Sequence, residues 1–387
     1  MEEENLEKKQ PEVDLPEMHI KIKKPKKLSP FEQKLNDLIA RFGKIPFVDK
    51  MLFIHHLQIM VKAGLTIVEG LRILSEETEN KKFKKVIEEI KAQVEKGQQF
   101  SEALKKHPKV IPPVYVSMIS AGETAGKMEE ALEQVSNQMQ KNHDLISKIK
   151  GAMIYPAVIT VAMVGVALIV VFYILPEFLV MFDEFDADLP GATIALIKIV
   201  EFAQNWTIEI IIGVIALVIT WIRLIKILSF KRKVHKIFLK LPIAGKIIKK
   251  INLARFSLTL SSLLKSSISI VEALDISADV VSNYTYKDTL RYAAENIKKG
   301  DALSAILQKF PNIYPPMVTE MIMVGEQTGE SEKMLNELSN YFSNEVDSTM
   351  KNFSTVIEPV IILMLGLGVA GIAVAVIMPT YSLSQSF

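Results

Sequence analysis

Gly122-Glu123-Thr124-Ala125-Gly126 and Gly325-Glu326-Gln327-Thr328-Gly329 are one short motif, G-E-x-x-G, met twice. Working outward from it, the chain lies on itself without a gap at a constant offset of 203 residues. Upstream, Pro112-Pro113 falls on Pro315-Pro316, Gly97 on Gly300, and Ile67-Val68-Glu69 on Ile270-Val271-Glu272. Lys62 falls on Lys265, Leu57 on Leu260 and Phe53 on Phe256. Downstream, the register reaches Pro156/Pro359 and Pro176/Pro379. So long a period excludes a solenoid, whose units span roughly 20 to 50 residues. It predicts two homologous domains, each running directly into an apolar segment, and a two-fold scaffold rather than one catalytic pocket.

Each copy reads as helical. Phe53, Leu57, Met60, Val61 and Gly64 share one helix face, and Phe256, Leu260, Leu263 and Leu264 repeat the stripe. Thr66-Ile67-Val68-Glu69 and Ser269-Ile270-Val271-Glu272 both match the capping box. A charged helix then ends near Gly97 or Gly300. Ser101 and Ser304 start a short helix that Pro108 and Pro311 stop. The paired prolines open a fifth helix, since proline is tolerated in a first turn. The G-E-x-x-G element is the tight link to a sixth helix. That helix continues into the apolar segment with only Gly151 and Pro156 to interrupt it. Pro156 and Pro359 are predicted to kink their helices at the membrane entrance.

Composition places the chain at a membrane. Hydrophobic residues make up 49% of it, concentrated in three segments. Residues 151–176 carry no charge and are long enough for a helix to cross a ~30 Å hydrocarbon core. The apolar part of 356–379 makes a second clear span. Residues 206–228 are less clean: Glu209, Arg223 and Lys226 flank an uncharged centre, with Trp206 and Trp221 suited to the interfaces. Two like-oriented repeats, each ending in one span, need an odd number of crossings between them, and this segment supplies it. The acidic stretch 177–205 (Glu177, Asp183, Glu184, Asp186, Asp188, Glu201) reads as an external loop. The stretch 229–248, with Lys231, Arg232, Lys233, Lys236 and Lys240, reads as a basic cytoplasmic linker. The expected fold is therefore an all-α membrane protein. Two homologous six-helix cytoplasmic bundles, 46–150 and 249–355, are joined to three transmembrane helices. Residues 1–45 are expected to form a disordered charged tail with no cleavable leader, and 380–387 a short external tail.

The motifs that promise chemistry fail inspection. Ala121 to Lys127 misses the phosphate-loop spacing, and the second copy has Glu330 in place of Lys127. Gly366-Leu367-Gly368-Val369-Ala370-Gly371 matches G-x-G-x-x-G but lies inside an apolar span with no later carboxylate, so small-residue helix packing is the better reading. His55-His56 is matched by Leu258-Thr259 in the second copy. No cysteine is present, which excludes disulfides and thiolate metal sites. A net charge of +2 gives no reason to expect nucleic-acid binding. No cofactor, metal or catalytic residue is expected. Glu123 and Glu326 are the notable acids. The preferred reading is a loop carboxylate serving backbone N–H groups at the start of helix six; the alternative is contact with a partner.

Together, the doubled G-E-x-x-G, the Phe53 and Phe256 helices with their capping boxes, and Tyr155-Pro156 resemble the bacterial type II secretion F protein family. Phe182-Asp183-Glu184-Phe185 and Leu189-Pro190-Gly191-Ala192-Thr193 add to the likeness, which covers about residues 45 to 383. Departures are Glu358 opposite Tyr155 and Ser267 opposite Gly64. The resemblance implies a non-enzymatic, multi-pass platform in the bacterial inner membrane, with both repeat domains cytoplasmic. Such a platform serves type IV pilus or type II secretion assembly. It works beside a separate hexameric ATPase, pilin-like subunits and other inner-membrane assembly proteins, as a homo-oligomer. A small transporter built on internal repeats is the alternative; it calls for ionisable residues at mid-span, which these spans lack.

Overall fold

The computed structural model describes residues 45–176 and 191–385. The charged N-terminal tail to residue 44, the acidic loop around Phe182 to Phe185, Leu189-Pro190, and the last two residues lie outside that description. Among the described residues every regular element is helical.

The first copy comprises α1 (Phe47–Lys62), α2 (Ile67–Glu77), α3 (Lys81–Glu95), α4 (Phe100–Lys105), α5 (Pro113–Thr124) and α6 (Met128–Ile169). Three helices follow: α7 (Gly191–Asn205), α8 (Thr207–Lys226) and α9 (Leu228–Phe238). The second copy comprises α10 (Ala244–Lys265), α11 (Ile270–Val280), α12 (Tyr284–Ile297), α13 (Leu303–Gln308), α14 (Pro316–Thr328) and α15 (Ser331–Gln385). Six helices per copy are thus present in the same order.

Local chemistry fixes most boundaries. At Thr66 the box is reciprocal: Glu69 N–H donates to Thr66 Oγ1 at 3.3 Å, and Thr66 N–H donates to Glu69 Oε2 at 3.0 Å. At Ser269 only half survives, Glu272 N–H donating to Ser269 Oγ at 3.4 Å. The sequence match therefore overstated the second copy. Asn80 and Asn283 cap the third helix of each copy through their side-chain oxygens.

Two stretches read as connections are structured. The described part of the external loop is α7. Between Ala192 and Ala203 it is apolar at most positions, a run that charge counting overlooked. The basic linker is largely α9, which docks on α12. Arg232 pairs with Asp288 at 3.0 Å, Tyr284 N–H donates to His235 Nδ1 at 3.2 Å, and Lys231 Nζ lies 5.2 Å from the Tyr284 ring centroid.

Both copies contribute to one connected core. Phe53, Leu57, Leu71, Ile87, Phe100 and Leu132 are buried in the first copy, and Phe256, Leu260, Leu274, Tyr286, Tyr314 and Leu338 in the second. Burying each such side chain contributes about 1.5–3 kcal/mol. Tyr286 satisfies its hydroxyl by donating to Ile313 O at 2.8 Å. The copies meet along α6, α10 and α15. Ser262 and Ser266 donate to Gln138 and Gln134, each at 2.6 Å, and Lys141 reaches Asn336 Oδ1 at 3.3 Å.

α6 and α15 are far longer than a bundle needs, 42 and 55 residues. α6 continues across Gly151 and Pro156 without ending, and Thr160 Oγ1 donates to Pro156 O at 2.7 Å. Regular α geometry first gives way at Val170–Ile174, a single π-helical turn. Among the described residues three helices are long and apolar enough to cross a membrane: Met128–Ile174, Thr207–Lys226 and Ser331–Gly371. The most apolar stretch of each is unburied in the protein, with Val161 72%, Leu217 68% and Leu367 73% exposed. Such continuous apolar surface calls for a lipid environment or other helices.

Candidate functional site

The repeated motif is a corner between the fifth and sixth helices, and each of its fixed positions does a separate job. Glu123 lies in the last turn of α5, not in a loop. Its carboxylate reaches back to α4, accepting Phe100 N–H at 2.7 Å on one oxygen, and Ser101 N–H at 2.9 Å and Ser101 O–H at 2.5 Å on the other. Glu326 repeats the pattern on α13, with Leu303 N–H at 2.6 Å, Ser304 N–H at 3.2 Å and Ser304 O–H at 2.5 Å. The served helix is therefore the fourth, not the sixth. A short helix leaves its first N–H groups without intrahelical partners, and a carboxylate from 22 or 23 residues away fills two of them. No local pattern announces so distant a cap. The available signal was Ser101 and Ser304, the only hydroxyl in each constellation, recurring in step with the two glutamates.

The glycines act differently. A Cβ on Gly122 would stand 2.2 Å from Ala131 Cβ, and one on Gly325 2.9 Å from Ser331 Cα. The first glycine thus lets the fifth and sixth helices touch. Gly126 and Gly329 take φ +69° and +74°, the left-handed conformation that reverses the chain at almost no cost for glycine. Through this corner, α4 and α5 are fixed to the base of α6, and α13 and α14 to the base of α15.

The other singled-out positions make packing contacts or face open space. His55 Nδ1 lies 3.1 Å from Ser136 Oγ, docking α1 on α6, while His56 points elsewhere at 6.1 Å between ring centroids. Cβ atoms built on Gly366, Gly368 and Gly371 meet nothing within 4 Å, so the small-residue run on α15 faces open space in this chain. A cleft of about 620 Å³ lies between α4–α6 and the α10–α11 turn. Its charged lining mixes Lys105, Lys127 and Lys265 with Glu102, Glu130 and Glu272.

This geometry defines a class: a helical membrane protein in which two copies of one bundle each continue into an apolar helix. The chain belongs to the family described as type II secretion system (T2SS), protein F, which matches residues 53–176 and 256–379, the two copies of the repeat. It is similar to the type IV pilus assembly protein PilC of Myxococcus xanthus, 33% identical over 346 residues, 89% of this chain and 83% of that protein. PilC of Thermus thermophilus is also 33% identical, over 87% of this chain and 82% of its own length. The type II secretion system protein F of Vibrio cholerae is 29% identical over 87% of this chain and 83% of its own. The resemblance read from the sequence is thereby confirmed.

Proposed function

We propose that this chain is the inner-membrane platform of a type IV pilus or type II secretion assembly machine. It couples a separate hexameric ATPase to the insertion of pilin-like subunits into a fibre. The observation that carries the reading is helix continuity: the sixth helix of each bundle is the same unbroken helix as an apolar segment. A torque or displacement applied to a bundle is then delivered to the membrane without passing through a flexible linker. The G-E-x-x-G corner strengthens the coupling, because it clamps the fourth and fifth helices to the base of that lever. The charge asymmetry around the apolar segments supports a cytoplasmic location for both bundles and an external C-terminus. The chain itself turns over no nucleotide. It acts as a homo-oligomer with other inner-membrane assembly proteins and uses no cofactor.

The test is co-purification of the detergent-solubilised full-length chain with the hexameric ATPase of its own assembly system. Binding is expected, with no ATP hydrolysis by the chain alone. Turnover by the isolated chain that disappears in Lys127→Ala would defeat the platform reading. Reporter fusions after Asp188 and after Phe387 are expected to signal outside, and one after Lys240 inside.

A further inference from the structure

Arg255 has no counterpart in the first copy, where the equivalent residue is Leu52. It stands on α10, half-buried, and donates from Nη1 to Ser282 Oγ. Its Nε is buried without a hydrogen-bond partner. No Asp or Glu among the described residues pairs with it. Burial holds the Arg255 pKa below its ordinary value, and the neighbouring Tyr115 phenol, itself pushed up to about 12 by burial, opposes that only in part. A partly buried cation without an anion is costly unless something supplies the missing charge.

Arg255 lines a cavity of about 560 Å³ whose wall is mostly apolar. Ile149 and Lys150 enter from α6, Trp221 and Ile225 from α8, and Phe238 from α9. Lys150 immediately precedes the uncharged stretch that begins at Gly151, and Trp221 and Ile225 close the second apolar helix. The cavity therefore straddles the boundary between hydrocarbon and water. Its surroundings are strongly basic, with Arg223, Lys226, Lys231, Lys233 and Lys236 on α8 and α9.

We propose that this cavity binds an anionic phospholipid, its phosphate held by Arg255 and Lys150 and its proximal acyl chains laid on Ile149, Trp221, Ile225 and Phe238. Each element of the site matches one part of that ligand. The guanidinium, with no carboxylate partner among the described residues, presents a planar fork suited to phosphate. The apolar wall would be wasted on a free phosphate ion but suits acyl chains. Basic pockets between membrane helices at the interface are recognised headgroup sites. The site occurs once per chain, because the first copy places Leu52 where Arg255 stands and the second places Phe353 where Lys150 stands. It rests on the membrane reading of α6 and α8, not on what the bundles bind.

The chain has two tryptophans, so Trp206→Phe leaves Trp221 as the only reporter, set in the cavity wall. The full-length protein is reconstituted in mixed vesicles of fixed anionic content. Either phosphatidylglycerol or phosphatidylcholine carries acyl-chain bromines, at equal mole fraction. Brominated phosphatidylglycerol is expected to quench Trp221 at a several-fold lower mole fraction. Arg255→Leu should cut that preference about fivefold, the factor equivalent to about 1 kcal/mol per basic side chain near anionic lipid. Arg255→Lys should keep most of it. Lys150→Gln, an exposed change at the rim, should also lower it and decides the matter if Arg255→Leu loses its helicity. Trp206 as sole reporter should show no preference. Equal quenching of Trp221 by both lipids, or a preference that survives both Arg255→Leu and Lys150→Gln, overturns the proposal. So does loss of the preference on adding millimolar inorganic phosphate, which would make the ligand a soluble anion. Absence of quenching at both tryptophans would overturn the membrane reading together with the site. None of these results touches ATPase co-purification, so the two readings fail separately.

Discussion

The two copies share a corner and differ at their edges. Both keep Gly, Glu and Gly at the same register, and both glutamates make the same three hydrogen bonds to the fourth helix. Away from the corner they diverge. The first copy turns through Gly64 at φ +90°, whereas the second puts Ser267 at φ +60°, the only non-glycine residue with positive φ among those described. The capping box is whole at Thr66 and half at Ser269. Leu52 is exposed on the first copy, where its equivalent Arg255 lines a cavity on the second. Positions held in common are thus those that close the bundle, and positions that differ face the two copies' different surroundings. The repeat separates folding requirements from local specialisation within one molecule.

The sharpest way to break that division is to remove the shared carboxylate. Glu123→Ala is expected to destabilise the first bundle by about 2–3 kcal/mol, since hydrogen bonds to charged groups are worth roughly 1.5–3 kcal/mol and the N–H groups at the helix start lose their acceptor. Glu326→Ala should cost the second bundle a similar amount. Hydrogen exchange on the full-length protein reads this directly. Protection should fall in residues 100–105 for one variant and 303–308 for the other. Unchanged protection with failed fibre assembly would make the corner a partner contact instead.

The corner also predicts an asymmetry. Gly122→Ala drives a methyl group to 2.2 Å from Ala131 Cβ, whereas Gly325→Ala meets Ser331 Cα at 2.9 Å and the flexible Met334 Cγ at 3.2 Å. Overpacking typically costs 1–3 kcal/mol, so the first substitution should fall near the top of that range and the second near the bottom. Ala131→Gly should restore most of the loss from Gly122→Ala. Equal losses in the two copies, or no rescue, would show that close helix approach is not what the first glycine provides.

Much of this was legible in the sequence. The constant offset revealed the duplication, the apolar windows revealed the spans, and capping patterns placed the second helix of each copy. Three features were not legible, each for a physical reason. The partners of Glu123 and Glu326 lie a whole helix away, beyond any local spacing rule. α7 and α9 were read as connections because charge governed their reading, although α7 is a mostly apolar run and α9 places Phe230, Val234, Ile237 and Phe238 on one helix face. That Arg255 has no carboxylate partner among the described residues is a property of three-dimensional surroundings, for an arginine in a helical stretch usually finds a carboxylate or water. Resemblance identified the family but did not place these contacts.

The turn between the first two helices of each copy offers a smaller test. Ser267 holds a left-handed backbone that costs a non-glycine residue about 1 kcal/mol. Ser267→Gly should therefore stabilise the second bundle by up to about that amount, offset in part by the greater freedom of an unfolded glycine. Gly64→Ser should destabilise the first. Parallel shifts of the same sign would show that something other than backbone conformation governs this turn.

The smallest expected effect concerns α9, which docks on the second copy. His235 Nδ1 accepts the Tyr284 N–H at 3.2 Å, which it can do only while that nitrogen carries no proton. Burial, and then the charge of Lys231, lower the His235 pKa below its ordinary value. The Arg232–Asp288 pair and Tyr284 on α12 are its other close charged and titratable neighbours, and Lys150 and Arg255 line the same cavity. Because the folded chain binds this proton less readily than the unfolded one, the docking is fully present above the ordinary histidine pKa of about 6.5 and weakens as pH falls through and below it. Hydrogen exchange in residues 228–238, corrected for intrinsic rate, should accordingly show less protection at pH 5.5 than at pH 7.5. In His235→Gln the difference between the two pH values should vanish, because that side chain does not titrate. Among the described residues no basic helix docks on the equivalent surface of α3 in the first copy, so its exchange should be flat across the same range. A pH response of equal size in both copies would assign the effect to general acid loosening rather than to His235. A persistent response in His235→Gln would point the same way.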